Sequence, residues 1–124
     1  MNKPLQHRSI CPLASSLDLF GDKWTLLVIR DLACGKSQFK DFMQSPEKIA
    51  TNILSSRLAR LLALGLIETF ASTLQPGRQA YRLTAKGETL VPVLQALVDW
   101  GLANIDGTRA LLRPADRDEK EQKT

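Results

Sequence analysis

KWTLLVIRDLACG (residues 23–35), QFKDFMQS (38–45), IATNILSSRLARLLALGLI (49–67) and ETFASTLQPGRQAYRLT (68–84) follow one another through the middle of the chain. Their periodicities spell helix, helix, helix, strand, turn, strand. That order is the layout of a winged helix-turn-helix, a module whose last helix enters a DNA groove. In the first segment Leu26, Leu27, Ile29, Arg30 and Ala33 give an incomplete amphipathic pattern, and Gly35 stands where a terminator belongs. Phe39, Phe42 and Met43 recur at i, i+3, i+4, a short helix that Ser45-Pro46 ends.

The third helix is expected from Ala50 to Leu64, closed by Gly65. At about 100° per residue, Ile53, Leu54, Leu58, Leu61 and Leu62 share one face. Asn52, Ser55, Ser56, Ala59 and Ala63 share the other, without a single acid. Small residues and short hydrogen-bonding groups suit close approach to a groove wall, and asparagine can read adenine. A helix packed on another helix would carry small residues too. The strands are expected over Ile67 to Thr73 and Ala80 to Thr84, joined by Leu74–Gln79 with Pro76-Gly77 at the tip. Arg78 leaves that tip, where it either reaches a groove or phosphate or is simply solvated.

On the N-terminal side, residues 1–10 read as a flexible arm. Cys11-Pro12 then opens a helix to about Leu19, with proline at the first helical position and Cys11 as capping residue. Thr84 is expected to cap a long final helix, apolar around most of its girth through Leu90, Val91, Val93, Leu94, Leu97, Val98, Trp100, Leu102 and Ile105. Pro92 either kinks that helix or marks its true start. So apolar a helix on a small domain is most simply buried against a second copy. The tail 113–124, with four basic and four acidic residues, is expected to be disordered. The domain itself thus spans 11–112. The fold class expected is α+β, mainly α: a winged helix-turn-helix with additional N- and C-terminal helices for dimerisation.

Charge agrees with this layout. From Lys23 to Lys86 ten Lys or Arg stand against four Asp or Glu, a net +6, while the whole chain of 124 residues carries +4. The positive charge lies where phosphates would be met. One histidine, His7, and two cysteines, Cys11 and Cys34, leave too few ligands for a metal and no disulfide framework. No Gly-rich phosphate loop is present. No cofactor is implied and an enzyme is not expected. No apolar stretch is long enough to cross a bilayer, the first ten residues lack the apolar core of a signal peptide, and the expected compartment is the cytoplasm.

These residues together resemble the HxlR-type regulators, a bacterial family related to the MarR group. The resemblance runs through Cys11-Pro12, Leu17-Asp18, Gly21-Asp22-Lys23-Trp24-Thr25-Leu26-Leu27, Ile29-Arg30-Asp31-Leu32 and Phe39. It continues in Ile53-Leu54-Ser55-Ser56-Arg57-Leu58, Leu64-Gly65-Leu66-Ile67, Tyr81-Arg82-Leu83-Thr84, Gly87, Leu90, Pro92-Val93-Leu94 and Trp100-Gly101, so that it covers about residues 11–105. It implies a homodimer on palindromic double-stranded DNA, with the dimer interface built from the N- and C-terminal helices. Carried over by position, the DNA-contacting candidates are Lys48, Thr51, Asn52, Ser55, Ser56, Arg57, Arg60 and Arg78. The interface candidates are Leu13, Leu17, Leu94, Leu97, Val98, Gly101, Leu102 and Ile105. Lys23 and Trp24 read as structural. Two departures stand out. Many relatives open the recognition helix with Ser-Pro, where this chain has Ala50-Thr51, so the cap has to come from Thr51 or elsewhere. Cys34 stands where relatives often carry a charge.

Several members of the family sense oxidants or electrophiles through a cysteine aligned with Cys11, while many others keep it without a redox signal. A thiol at a helix N-terminus feels the positive end of the helix dipole, and His7 and Arg8 are close in sequence. Cys34, near a helix C-terminus, has the dipole against it. The function expected is a sequence-specific DNA-binding regulator, most simply a repressor, with oxidant or electrophile sensing through Cys11. A ligand-responsive regulator with no redox role, and a protein–protein adaptor that has lost DNA binding, are the alternatives.

Overall fold

Proline, glycine and a few side-chain caps set the element boundaries in the computed structural model, which describes residues 8–72 and 77–110. The arm up to His7, the Pro76 side of the wing tip and the charged tail from Arg113 lie outside the described residues.

Helix α1 (Pro12–Phe20) starts on Pro12 with Cys11 at the N-cap, as expected, although the thiol makes no capping hydrogen bond. It stops at Gly21, whose amide donates to the Leu17 carbonyl at 2.7 Å. Any β-carbon on Gly21 would stand 2.4 Å from that oxygen, so only glycine fits the elbow. Helix α2 (Thr25–Ala33) begins under Asp22, which accepts the amides of Trp24 and Thr25 at 3.0 and 3.1 Å and also the Thr25 hydroxyl. Helix α3 (Phe39–Met43) is opened by Asp41, which accepts the Gln38 amide at 2.9 Å. Helix α4 (Thr51–Ala63) ends at Gly65, whose φ of 72° is the left-handed geometry glycine adopts freely.

Strands β1 (Ile67–Ala71) and β2 (Gln79–Leu83) form an antiparallel hairpin, in register from Ile67 opposite Leu83 to Ala71 opposite Gln79. The free edge of β2 is used as well: the Tyr81 amide donates to the Ser37 carbonyl at 2.7 Å, tying the wing to the start of α3. One core serves all these elements. Val28, Ile29, Leu32, Phe42, Ile49, Leu54, Leu58, Leu61, Leu66, Ile67 and Leu94 are buried in it, and Phe42 meets Tyr81 edge-on at 6.4 Å.

The long final helix expected from Thr84 is two helices. Thr84 caps only a short α5 (Ala85–Glu88), accepting the Gly87 amide at 3.1 Å. Helix α6 (Val91–Asn104) then starts afresh with Pro92 in its first turn. A proline lacks the amide that a helix interior needs and is tolerated where amides have no helical partner, so Pro92 marks a start rather than a kink. Gly87 lies so close to the Leu66 carbonyl that a β-carbon would sit 2.0 Å from it, so α5 packs tightly on the link between α4 and β1.

Candidate nucleic-acid interface

Helix α4 sorts its side chains as its periodicity requires. Leu54, Leu58 and Leu61 are buried, while Thr51, Asn52, Ser55, Ser56 and Ala59 are exposed. Leu62, expected on the inner face, lies at its margin and is exposed. Asn52 and Ser55 have no side-chain hydrogen bond to any described residue, so their donors and acceptors stay open. Ala50 is the N-cap and Thr51 the first helical residue; no side-chain capping bond forms. Thr51 therefore does not supply the missing cap: already inside the helix, it is not in the N-cap position from which a hydroxyl reaches back to the first-turn amides.

The turn that aims α4 is built on buried charge. Asp31, 3% exposed, accepts Arg30 Nε and Nη2 at 3.1 and 2.8 Å and the Ser45 hydroxyl. Arg30 also forks onto Glu47 at 2.9 and 2.7 Å, a bidentate pair of the stronger kind. That bond holds the Glu47 carboxyl below the usual carboxylate range. Lys36 Nζ donates to Ser45 at 2.6 Å. Lys48, at the turn's end, takes a φ of 56°, left-handed backbone that non-glycine residues seldom adopt.

The basic candidates divide into open and committed groups. Lys48 and Arg78 are exposed with no ion pair among the described residues, and so is Lys40 on α3. Lys40 was outside the expected set, although its place just after the N-cap of the first helix of the motif could have indicated it. Arg57 and Arg60, both expected on DNA, have partners within the chain, and Arg57 Nη1 also donates to the Ser56 hydroxyl at 3.3 Å. Arg57 Nε pairs with Asp22 Oδ2 at 2.8 Å, and Arg60 Nη2 donates to the Asp18 carbonyl at 2.8 Å. Lys86, counted within the basic segment, donates to the Leu64 carbonyl at 3.0 Å and closes the C-terminus of α4. Burial raises the Asp22 carboxyl, but hydrogen bonds from Thr25, Arg57 and the Trp24 amide outweigh it and leave the group well below the usual carboxylate range.

A second exposed surface is apolar. Ile10 is 99%, Leu13 67% and Trp100 62% exposed, and Leu17, Val93, Leu97, Val98, Leu102 and Ile105 are exposed too. No residue of α1 is fully buried, and Phe20 at its end packs half-buried against the core. Leu94, expected to face a partner, is 8% exposed and packed in the chain's own core, because it stands on the side of α6 that meets that core. Gly101 is half-buried, and Trp100, outside the expected set, carries the bulk it lacks. Of the two thiols, Cys11 is exposed and Cys34 half-buried. Burial, with Asp31 nearby, pushes the Cys34 thiol up, away from its reactive form. Arg8 is drawn to Asp18 at 2.6 Å; His7 lies outside the described residues.

With this geometry in hand, comparison with known proteins is specific. The family model described as HxlR-like helix-turn-helix matches residues 19–109. The HTH-type transcriptional regulator YdeP of Bacillus subtilis (strain 168), itself uncharacterized, is 34% identical over 91 residues, 73% of this chain and 71% of YdeP. The crystal structure of PA1607 superposes with a TM-score of 0.75 at 35% identity, covering 90% of this chain and 78% of that one. The redox regulator HypR in its oxidized form gives a TM-score of 0.68 at 30% identity, over 77% of this chain and 99% of HypR.

Proposed function

This chain belongs to the HxlR-like helix-turn-helix family, a family of transcriptional regulators, and on that premise we propose that it is a dimeric repressor that reads a palindromic operator with α4. The observation that carries the reading is the outer face of α4. Asn52 and Ser55 stand open on it and no acid lies among them, while Lys40 on α3, Lys48 in the turn before α4 and Arg78 in the wing are exposed with no ion pair among the described residues. Asn52 reads a base edge, the lysines and Arg78 meet phosphates, and the uncapped first turn of α4 offers amides to a phosphate. The exposed apolar faces of α1 and α6 close the dimer and place two reading helices about 34 Å apart, one helical turn of DNA. A gel-shift titration against DNA from the chain's own upstream region, over a range of salt, tests this. Specific binding that falls steeply with salt is expected. A salt-independent or absent affinity for every duplex would favour the adaptor reading.

The regulator's signal, in this proposal, is oxidative. Two observations support it: the exposed thiol at the N-cap of α1, and the likeness to the redox regulator HypR. Either an electrophile adds to the Cys11 sulfur, or two Cys11 thiols of a dimer give two electrons and two protons to an oxidant such as a quinone and join as a disulfide. Loss of operator binding on mild oxidation in the parent, and its persistence in Cys11→Ser, is the expected outcome. Equal sensitivity in both would remove Cys11 from the mechanism and leave the ligand-responsive reading.

A further inference from the structure

Two arginines of α4 are engaged at the α1–α2 corner, and Arg57 Nη1 also donates to Ser56 on the outer face at 3.3 Å. Arg57 reaches back 35 positions to Asp22, and one turn later Arg60 reaches the Asp18 carbonyl. Asp18 lies in the last turn of α1 and Asp22 in the elbow between α1 and α2, so both anchor at the α1–α2 corner. Asp22 holds that elbow from two sides, since the carboxylate that takes Arg57 also takes the amides at the head of α2. At Gly21 the chain passes so near the Leu17 carbonyl that no larger residue fits the elbow. No residue of α1 is fully buried, so these tethers, with half-buried Phe20 at its end and Trp24 beyond the elbow, decide where it lies.

Resting on the DNA-reading role given above, we propose that Asp22, Arg57 and Arg60 are positioning residues. They set the angle of α4 against α1, and through the dimer the spacing of the two reading helices, without touching phosphate themselves. A shift of α1 at the dimer face is carried to the reading face through the elbow.

Electrostatics and positioning predict opposite signs for Asp22→Asn. Removing a carboxylate and releasing a guanidinium makes the surface more positive, which alone tightens binding to any duplex. Asparagine keeps an acceptor for the amides of α2, so the fold is retained. Positioning instead predicts weaker binding to the operator while binding to unrelated DNA holds or strengthens.

The experiment begins with a duplex selected from a random-sequence pool on the parent protein. Parent, Asp22→Asn, Arg57→Gln and the double variant are titrated by anisotropy against it and against a scrambled duplex over a salt series, with thermal midpoints taken alongside. A loss of about two- to thirty-fold on the selected duplex is expected in each single variant. The double variant loses no more, and the salt slope is unchanged. Equal or tighter operator binding by Asp22→Asn overturns the proposal. So does a salt slope smaller by about 0.9 in Arg57→Gln, which would make that residue a phosphate contact. A lowered midpoint with equal loss on both duplexes overturns it in favour of simple destabilisation. If the parent selects no duplex, the DNA-reading itself falls, and this inference with it.

Discussion

Helices α4 and α6 have nearly equal lengths, thirteen and fourteen residues, and use their apolar side chains in opposite ways. Helix α4 mixes leucine with serine, asparagine and arginine, yet Leu54, Leu58 and Leu61 are all buried in the chain's own core. Helix α6 is the more apolar, yet only Leu94 is buried while Val93, Leu97, Val98, Trp100 and Leu102 face solvent. Apolar content alone therefore does not tell which helix holds the domain together. What counts is whether the apolar residues form one stripe, as in α4, or wrap the helix, as in α6. A stripe fits one neighbour, whereas a wrapped helix needs two, and a single chain supplies one of them.

The sharpest way to break this contrast is to cut into the stripe. Leu54→Ala or Leu61→Ala, both at fully buried positions, should lower unfolding stability by about 2–5 kcal/mol, read from urea titrations. A near-neutral result would mean that α4 is not a core helix. On the other side, Trp100→Ala should leave the protomer's fold unchanged and weaken the dimer. About 2–4 kcal/mol, or roughly thirty- to thousand-fold in dissociation constant, is the expected scale for an aromatic anchor, measured by sedimentation. If the variant unfolds instead, α6 belongs to the core after all.

Smaller effects sharpen the division within α4 itself. Asn52→Ala should cost about 1–3 kcal/mol of discrimination at one base position with the salt slope unchanged. Arg78→Gln should weaken binding evenly across sequences and reduce that slope by about one. The smallest effect is one of pH. Asp22 and Glu47 both have carboxyls lowered in the folded chain, so their contribution is present above the unfolded value of about 4 and fades as pH falls through the folded values. Urea midpoints should hold level from neutral pH down to about 5 and drop below about 4, and Glu47→Gln should shrink that drop.

The two faces of α4 were legible in the sequence because a helical period relates residues three and four apart, and that relation needs no knowledge of the rest of the fold. The hairpin was legible for the same local reason. Arg57 was not, because its partner lies 35 positions away and only the closed fold brings Asp22 beside it. Nor was Leu94, since a helix apolar on most sides gives no sign of which side turns inward. Pro92 left two outcomes open, and its place in the first turn of α6, after α5 has ended at Glu88, decides between them.

The bare first helix has one more consequence. Helix α1 has nine residues and none of them is buried, whereas a helix alone in water needs about 12–15 residues to be even marginally stable. Its order must therefore come from contacts beyond its own hydrogen bonds: the Asp18 carbonyl held by Arg60, the Asp18 carboxylate held by Arg8, half-buried Phe20, and a cover over Leu13 and Leu17. If a second copy is what covers them, protein concentration itself sets how firmly the first turn of α1 is held.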